Sequence, residues 1–419
     1  MALLCNFSLA AQDADSTAVV NIEARRNEPG FSNELLLFVA SGKYDMTGSA
    51  QNLLSVSRLA GRGLDALVSR KDSVSGFYKT KGLAKRLGIG LMVNFLFTNW
   101  LSTIQHEYMG HGYRIRENKA PVNSYVIPPA IFTDAYVDFD RANLSWYGKV
   151  LYATGGSESN TVFARESFRQ NLLNDYFFHY NINTMMLKAD MPAYILGGDT
   201  PKPGTPDYDA SEFDVVYYIK SFAEKSGTTE TEVYKKAKRG AYWSLADPSL
   251  WLSLFAYTRD YLVKGLTQVK NPMINSKSFS VLPFTDFHLS PFGYEYYAGS
   301  YFRHRKHLLE TYVRWSNGNI DGKSKGFGLS LLNAYKSNRI NLDIGVDVWN
   351  QDFDITHYEK NNEKYFKEIR SGKIRVASFY RFSKATGFFS QVSYKGNGYL
   401  LGNPLKEGWN VKLGVGLVF

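Results

Sequence analysis

The chain has 419 residues, with 49 Lys and Arg against 39 Asp and Glu, a formal net charge of +10 and one cysteine. Charged residues make up 21% and the AVILMFWYC set 44%, which excludes both a disordered tail and a bundle of apolar membrane helices. The basic residues are dispersed and no nucleic-acid module is legible, so no nucleic acid partner is expected, and a basic surface facing acidic lipid is the better reading.

The first segment, Met1 to Ala11 (MALLCNFSLAA), reads as the apolar part of a signal peptide over residues 1–12, with cleavage near Ala10 to Gln12. An ordinary N-terminus is the alternative; Cys5 lies inside the segment, so cleavage would leave a mature chain with no thiol, which would exclude disulfides and thiol catalysis. From about Asp13 to Arg86 the chain is polar, with helical spacing over Ser49–Val68. Leu87 to Leu266 is mostly helical and opens with an 18-residue apolar run, Leu87 to Ile104. That run is at the lower length limit for a membrane-spanning helix and fits a core helix equally well. A Pro- and Gly-rich loop, Gly197 to Pro206, divides this region.

Near Ser276 the period changes. Ile340, Leu342, Ile344, Val346 and Val348 alternate with Asn341, Asp343, Gly345, Asp347 and Trp349, the period-2 mark of a strand with one apolar face. Similar segments near Phe279–Leu289, Tyr294–Arg303, His307–Ser316, Gly326–Ala334, Lys373–Phe382, Gly387–Lys395 and Val411–Phe419 bring the count to eight. Three connections are short, at 304–306, between the fourth and fifth strands and between the sixth and seventh. The alternate ones (Asn317–Lys325, Gln351–Gly372, Gly396–Gly408) are long and polar, while Ser290–Gly293 is short and breaks the pattern. Short turns on one side and long loops on the other is the asymmetry of membrane barrels. Tyr294, Tyr296, Tyr297 and Tyr301 read as an interfacial girdle.

The C-terminal phenylalanine, preceded by apolar residues at alternate positions, resembles the last strand of bacterial outer-membrane β-barrel proteins. The resemblance covers about 140 residues. It implies the bacterial outer membrane, contact with outer-membrane lipid, and recognition of the last strand by barrel-insertion machinery. The expected fold is α+β: a mostly helical domain over 13–275 followed by an eight-stranded antiparallel transmembrane barrel over 276–419. Because side chains nearly fill the interior of an eight-stranded barrel, the helical domain is expected beside it, on the periplasmic side.

The strongest chemical signal is His106-Glu107-Tyr108-Met109-Gly110-His111, at the end of the apolar run. It resembles the HExxH zinc metallopeptidases, and is similar to site-2-type proteases, in which the motif also follows an apolar helix. The resemblance implies Zn2+ held by His106 and His111 and Glu107 as general base toward water, with a protein or lipid-linked substrate. The histidines are five apart rather than four. On a regular helix five residues turn about 500°, splaying the rings by about 140°. A single π turn, which Gly110 would tolerate, restores their convergence. Ligation by Glu107 and His111, with His106 facing away, is the alternative. A glutamate on a later helix supplies the third ligand in the gluzincin branch, which implies Glu158, after the doublet Gly155-Gly156 that permits close backbone approach. Glu166 and His179 compete with it. The non-catalytic reading leaves the histidines as polar groups at a helix end, with Glu107 paired to Arg114 or Arg116, on a structural or binding barrel. Asp286, His288 and Ser290 contain the residue types of a hydrolase triad and imply, more weakly, a barrel-embedded lipid deacylase.

Overall fold

The computed structural model describes residues 35–41, 45–71, 82–128, 135–197, 200–211, 213–291, 293–316, 323–352 and 368–418. The signal peptide expected over 1–12 and the terminal Phe419 lie outside them. The protein is mixed α+β, a helical N-terminal part followed by a large antiparallel sheet.

Each of the eight expected strands forms: β7 (Ser280–Ser290), β8 (Gly293–His304), β9 (His307–Ser316), β10 (Ser324–Lys336), β11 (Ile340–Asp352), β12 (Glu368–Arg381), β13 (Thr386–Lys395) and β14 (Gly408–Val418). Two more extend the sheet. β6 (Ile274–Asn275) pairs with β7, and β1 (Leu35–Ser41) pairs with β14 in a register from Leu35↔Val418 to Ser41↔Lys412. The sheet is thus ten-stranded, in the order β1-β14-β13-β12-β11-β10-β9-β8-β7-β6, and among the described residues no ladder joins β1 to β6. Smaller pairs are β2 (Val122–Val126) with β3 (Tyr136–Phe139), and β4 (Tyr176–Phe178) with β5 (Gln268–Lys270).

The main helices are α1 (Met46–Lys71), α2 (residues 82–117), α3 (Trp146–Leu172), α4 (Asp190–Leu196), α5 (Asp214–Ser226), α6 (Glu230–Leu245) and α7 (Pro248–Tyr257). Ser145 caps α3 by accepting the Gly148 N–H, and Thr229 caps α6 through the Glu232 N–H. α2 contains the apolar run, with Phe97, Trp100, Leu101 and Ile104 packed against Leu54 and Phe163 of α1 and α3. Among the described residues no helix is long and apolar enough to cross a membrane.

The sheet has its polar face inward. Glu310 on β9 accepts from Arg165 Nε at 2.6 Å and Arg169 Nε at 2.5 Å, both on α3. Arg314 pairs with Glu295 at 2.9 Å, and Lys412 reaches Asp45, just before α1, at 2.8 Å. Buried charges need such partners, because an ion taken from water unpaired costs several kcal/mol. The helices therefore pack on the inner face, not beside the sheet as an eight-stranded closed barrel would require. The interior holds too many strand charges to be filled by strand side chains alone, and the extra strands widen the sheet. Since β1 joins the sheet and the helices share its cores, the two expected parts are interleaved.

The outer face of β10–β14 and β1 is apolar and exposed. Ile344 pairs with Val376, Val376 with Val392 and Val392 with Val411, an unbroken row across β11–β14, and Val415 pairs with both Phe388 and Phe38. Val348, Ile374, Leu413 and Val415 are each about half exposed. Where β7 and β8 meet at the 290–293 connection the outer face is covered instead by α5 and α6: Phe287, Leu289 and Tyr294 pack with Val233, Ala237 and Ala241. Tyr294, Tyr297 and Tyr301 are all buried, so they form core contacts with the helices and not a girdle.

Candidate metal centre

The site is built where α2 and α3 cross in opposite directions. Residues Gln105–His111 of α2 form a π-helical turn, and the Gly112 N–H donates to the Glu107 carbonyl five residues back. Glycine makes the crossing close. A Cβ on Gly110 would lie 2.5 Å from the Gly155 carbonyl oxygen, and one on Gly156 would lie 2.2 Å from His106 Nε2. Gly156 is thus the space that the His106 ring occupies. Gly156→Ala is expected to displace that ring and to cost about 1–3 kcal/mol through overpacking, read as a lowered thermal midpoint together with reduced metal content.

The wide turn brings the two rings together, with centroids 4.7 Å apart and planes at 74°. Both Nε2 atoms face one oxygen of Asp214, the first residue of α5: His106 at 3.2 Å and His111 at 3.0 Å from Oδ2. His111 Nδ1 lies 2.7 Å from the Tyr152 carbonyl. A carbonyl only accepts, so Nδ1 carries a hydrogen, and Nε2 is the nitrogen that a cation could take in exchange for a proton. Asn160 Nδ2 lies 3.3 Å from His106 Nδ1, and Tyr194 stacks on the His106 ring at 5.6 Å.

The electrostatics couple the three side chains, Asp214 holding positive charge on the imidazoles. Burial alone would depress the histidine pKa values, but the Asp214 carboxylate outweighs it, raising His106 and lifting His111 to about 9. Burial would likewise raise Asp214, yet the two imidazoles hold it well below the usual carboxylate range. His106, His111 and Asp214 offer ligand atoms within 4.8 Å of one another. Two imidazole nitrogens and one carboxylate oxygen form the donor set of a catalytic zinc site, so the residues present fit that ion.

Glu107 and the three converging residues line one cavity of about 940 Å³, with Tyr152, Asn160, Asp190, Tyr194 and the β3 residues Tyr136 to Phe139. The other candidates lie elsewhere. Glu158, expected as third ligand, is bound by Arg114 through Nε at 2.9 Å and Nη2 at 2.5 Å, and accepts the Gly402 N–H at 2.7 Å. It balances a buried guanidinium and does not reach the histidines. Glu166 pairs with Arg169, and His179 stacks on Tyr261 at 4.1 Å. Arg114 and Arg116, proposed partners of Glu107, are engaged by Glu158 and Glu117 and by Tyr125. Asp214 carried no sequence signal, being a lone aspartate far along the chain from the motif.

Asp286 and His288 face each other at 3.4 Å inside the sheet, both buried. Asp286 accepts from Ser244 Oγ at 3.3 Å, while Ser290 Oγ is directed at the Gly293 carbonyl. The acid thus lies between the serine and the histidine, so His288 cannot take the serine proton. A deacylase triad at a membrane rim is not formed.

No protein-family model and no curated protein matches the chain. Among solved structures it is similar to a NanC porin, at 11% identity over 35% of this chain and 74% of the porin, with a TM-score of 0.25.

Proposed function

We propose that the protein is a zinc-dependent hydrolase of metallopeptidase type, anchored in the bacterial outer membrane by its sheet. The observation that carries the enzymatic reading is the π turn that converges His106 and His111 on Asp214. These three would hold the ion, and Asp214 takes the place that the sequence assigned to Glu158. Bound zinc would supply Lewis-acid polarisation of a substrate carbonyl and make water acidic enough to lose a proton. Glu107, next in the chain to His106 and on the same cavity wall, is the group to accept that proton and return it to the leaving amine. His111 is kept in its ligating tautomer by the Tyr152 carbonyl. A peptide bond is the favoured target, with lipid-linked amides as the alternative.

The membrane reading rests on the outer apolar rows. A face of this extent in water would be an aggregation surface, whereas lipid accepts it, and the polar face is already satisfied by the helices. Elemental analysis tests the metal site. The expected result is one zinc per chain in the wild type and none in His111→Ala or Asp214→Ala. Wild-type protein that takes up no zinc from a zinc-containing buffer makes the His–Asp–His cluster a purely structural hydrogen-bond set and the protein a non-enzymatic barrel.

A further inference from the structure

The register of the strands fixes the end of the sheet at which the cavity lies. The connections at 305–306, 337–339 and 382–385 are short and share one end of the sheet with Leu35 and Val418. Those at 317–323, 353–367 and 396–407 are long and share the other, together with the Ser290–Gly293 connection.

The helices are tied to these two ends in a definite order. α3 begins at the long-loop end, where Tyr147 and Leu151 pack on Tyr399 and Leu405 of the β13–β14 loop. It finishes at the short-turn end, where the Leu172 and Asn174 carbonyls meet Arg303 at the tip of β8. α2 runs the opposite way, and Glu117 at its end accepts the Leu405 N–H at 2.5 Å. α5 is held at the long-loop end by Tyr218, whose hydroxyl donates to the Ser290 carbonyl at 2.9 Å and the Gly293 carbonyl at 3.0 Å. Tyr152 and Gly156, which touch His111 and His106, fall in the first half of α3. The β2–β3 pair that lines the cavity follows the end of α2 and precedes the start of α3, so it too belongs to the long-loop end.

In outer-membrane barrels the short turns face the periplasm and the long loops face the exterior. The geometry points to a cavity that opens to the outside of the cell, with its substrate a polypeptide arriving from the surroundings and not one in transit through the periplasm. This rests on the membrane and hydrolase readings above and reverses the periplasmic side expected from the sequence.

Membrane-impermeant maleimide labelling of single cysteines tests it, in a Cys5→Ser background expressed in a bacterium with two membranes. Asp138→Cys, exposed on β3 at the cavity wall, is expected to label as fully in intact cells as after lysis. Tyr136→Cys on the same strand repeats the measurement if the first variant is not exported. Lys384→Cys, in the β12–β13 turn, is expected to stay at background until the outer membrane is permeabilised. Labelling of Lys384→Cys but not of the β3 cysteine in intact cells overturns the orientation, and so does equal behaviour of the two. Val346→Cys on the outer face separates this from the membrane reading: it should label only after denaturation, and labelling in native membranes removes the bilayer and not merely the orientation.

Discussion

Glu107→Gln is expected to retain one zinc per chain and lose about 10²–10⁴-fold in kcat, the usual contribution of a positioned general base. The substitution keeps the volume and hydrogen-bonding shape of the side chain and removes only its ability to accept a proton. Glu107 is buried on the π turn, beside the ligands but not among the three converging atoms. Metal content and KM should therefore stay near wild-type values. Asp214→Asn must behave differently, because it removes the anionic oxygen that faces both Nε2 atoms, and metal and activity should fall together. Elemental analysis and peptide hydrolysis on the same preparations check the pair. Loss of zinc in Glu107→Gln would make Glu107 a ligand, and unchanged kcat would remove it from the chemistry.

Glu158→Gln is expected to do the reverse, costing stability and sparing the metal. Arg114 is fully buried and Glu158 nearly so, joined by two hydrogen bonds, with the Gly402 N–H on the same carboxylate. Breaking a buried pair costs about 3–5 kcal/mol, and because Glu117 still faces Arg114 Nη1 at 2.7 Å the loss is expected at the lower end of that range. The readout is the urea midpoint of detergent-solubilised protein followed by tryptophan fluorescence, with zinc measured on the folded fraction. A folded Glu158→Gln protein that has lost its zinc would contradict the arrangement described.

The strands from β11 to β14 were the most legible because an apolar face alternates with a polar one, and both faces keep demanding environments: exposed apolar rows outside, charge-bearing helices inside. β1 escaped notice because LLLFVAS is a nearly continuous apolar run without that alternation. The histidine pair was legible down to its defect, since a five-residue spacing admits convergence only through a widened turn. Asp214 was not, because a carboxylate brought to the cluster from another helix leaves no mark on local spacing. Glu158 resembled a ligand for the reason that makes it structural: a buried carboxylate next to glycines needs a cation, and the cation is Arg114. Counting strands puts the helices outside the sheet, whereas the inward charges Glu310 and Lys412 find their partners in the helical part of the chain.

The pairing of β1 with β14 has a consequence for biogenesis. Leu35 is matched with Val418, so β1 finds its place only after β14, far later in the chain, has left the ribosome. The helices between them must be gathered within that same span. Assembly therefore waits on both strands: β1 stays unmatched until β14 has been made, and a chain lacking either one leaves its neighbour as a bare edge open to another molecule.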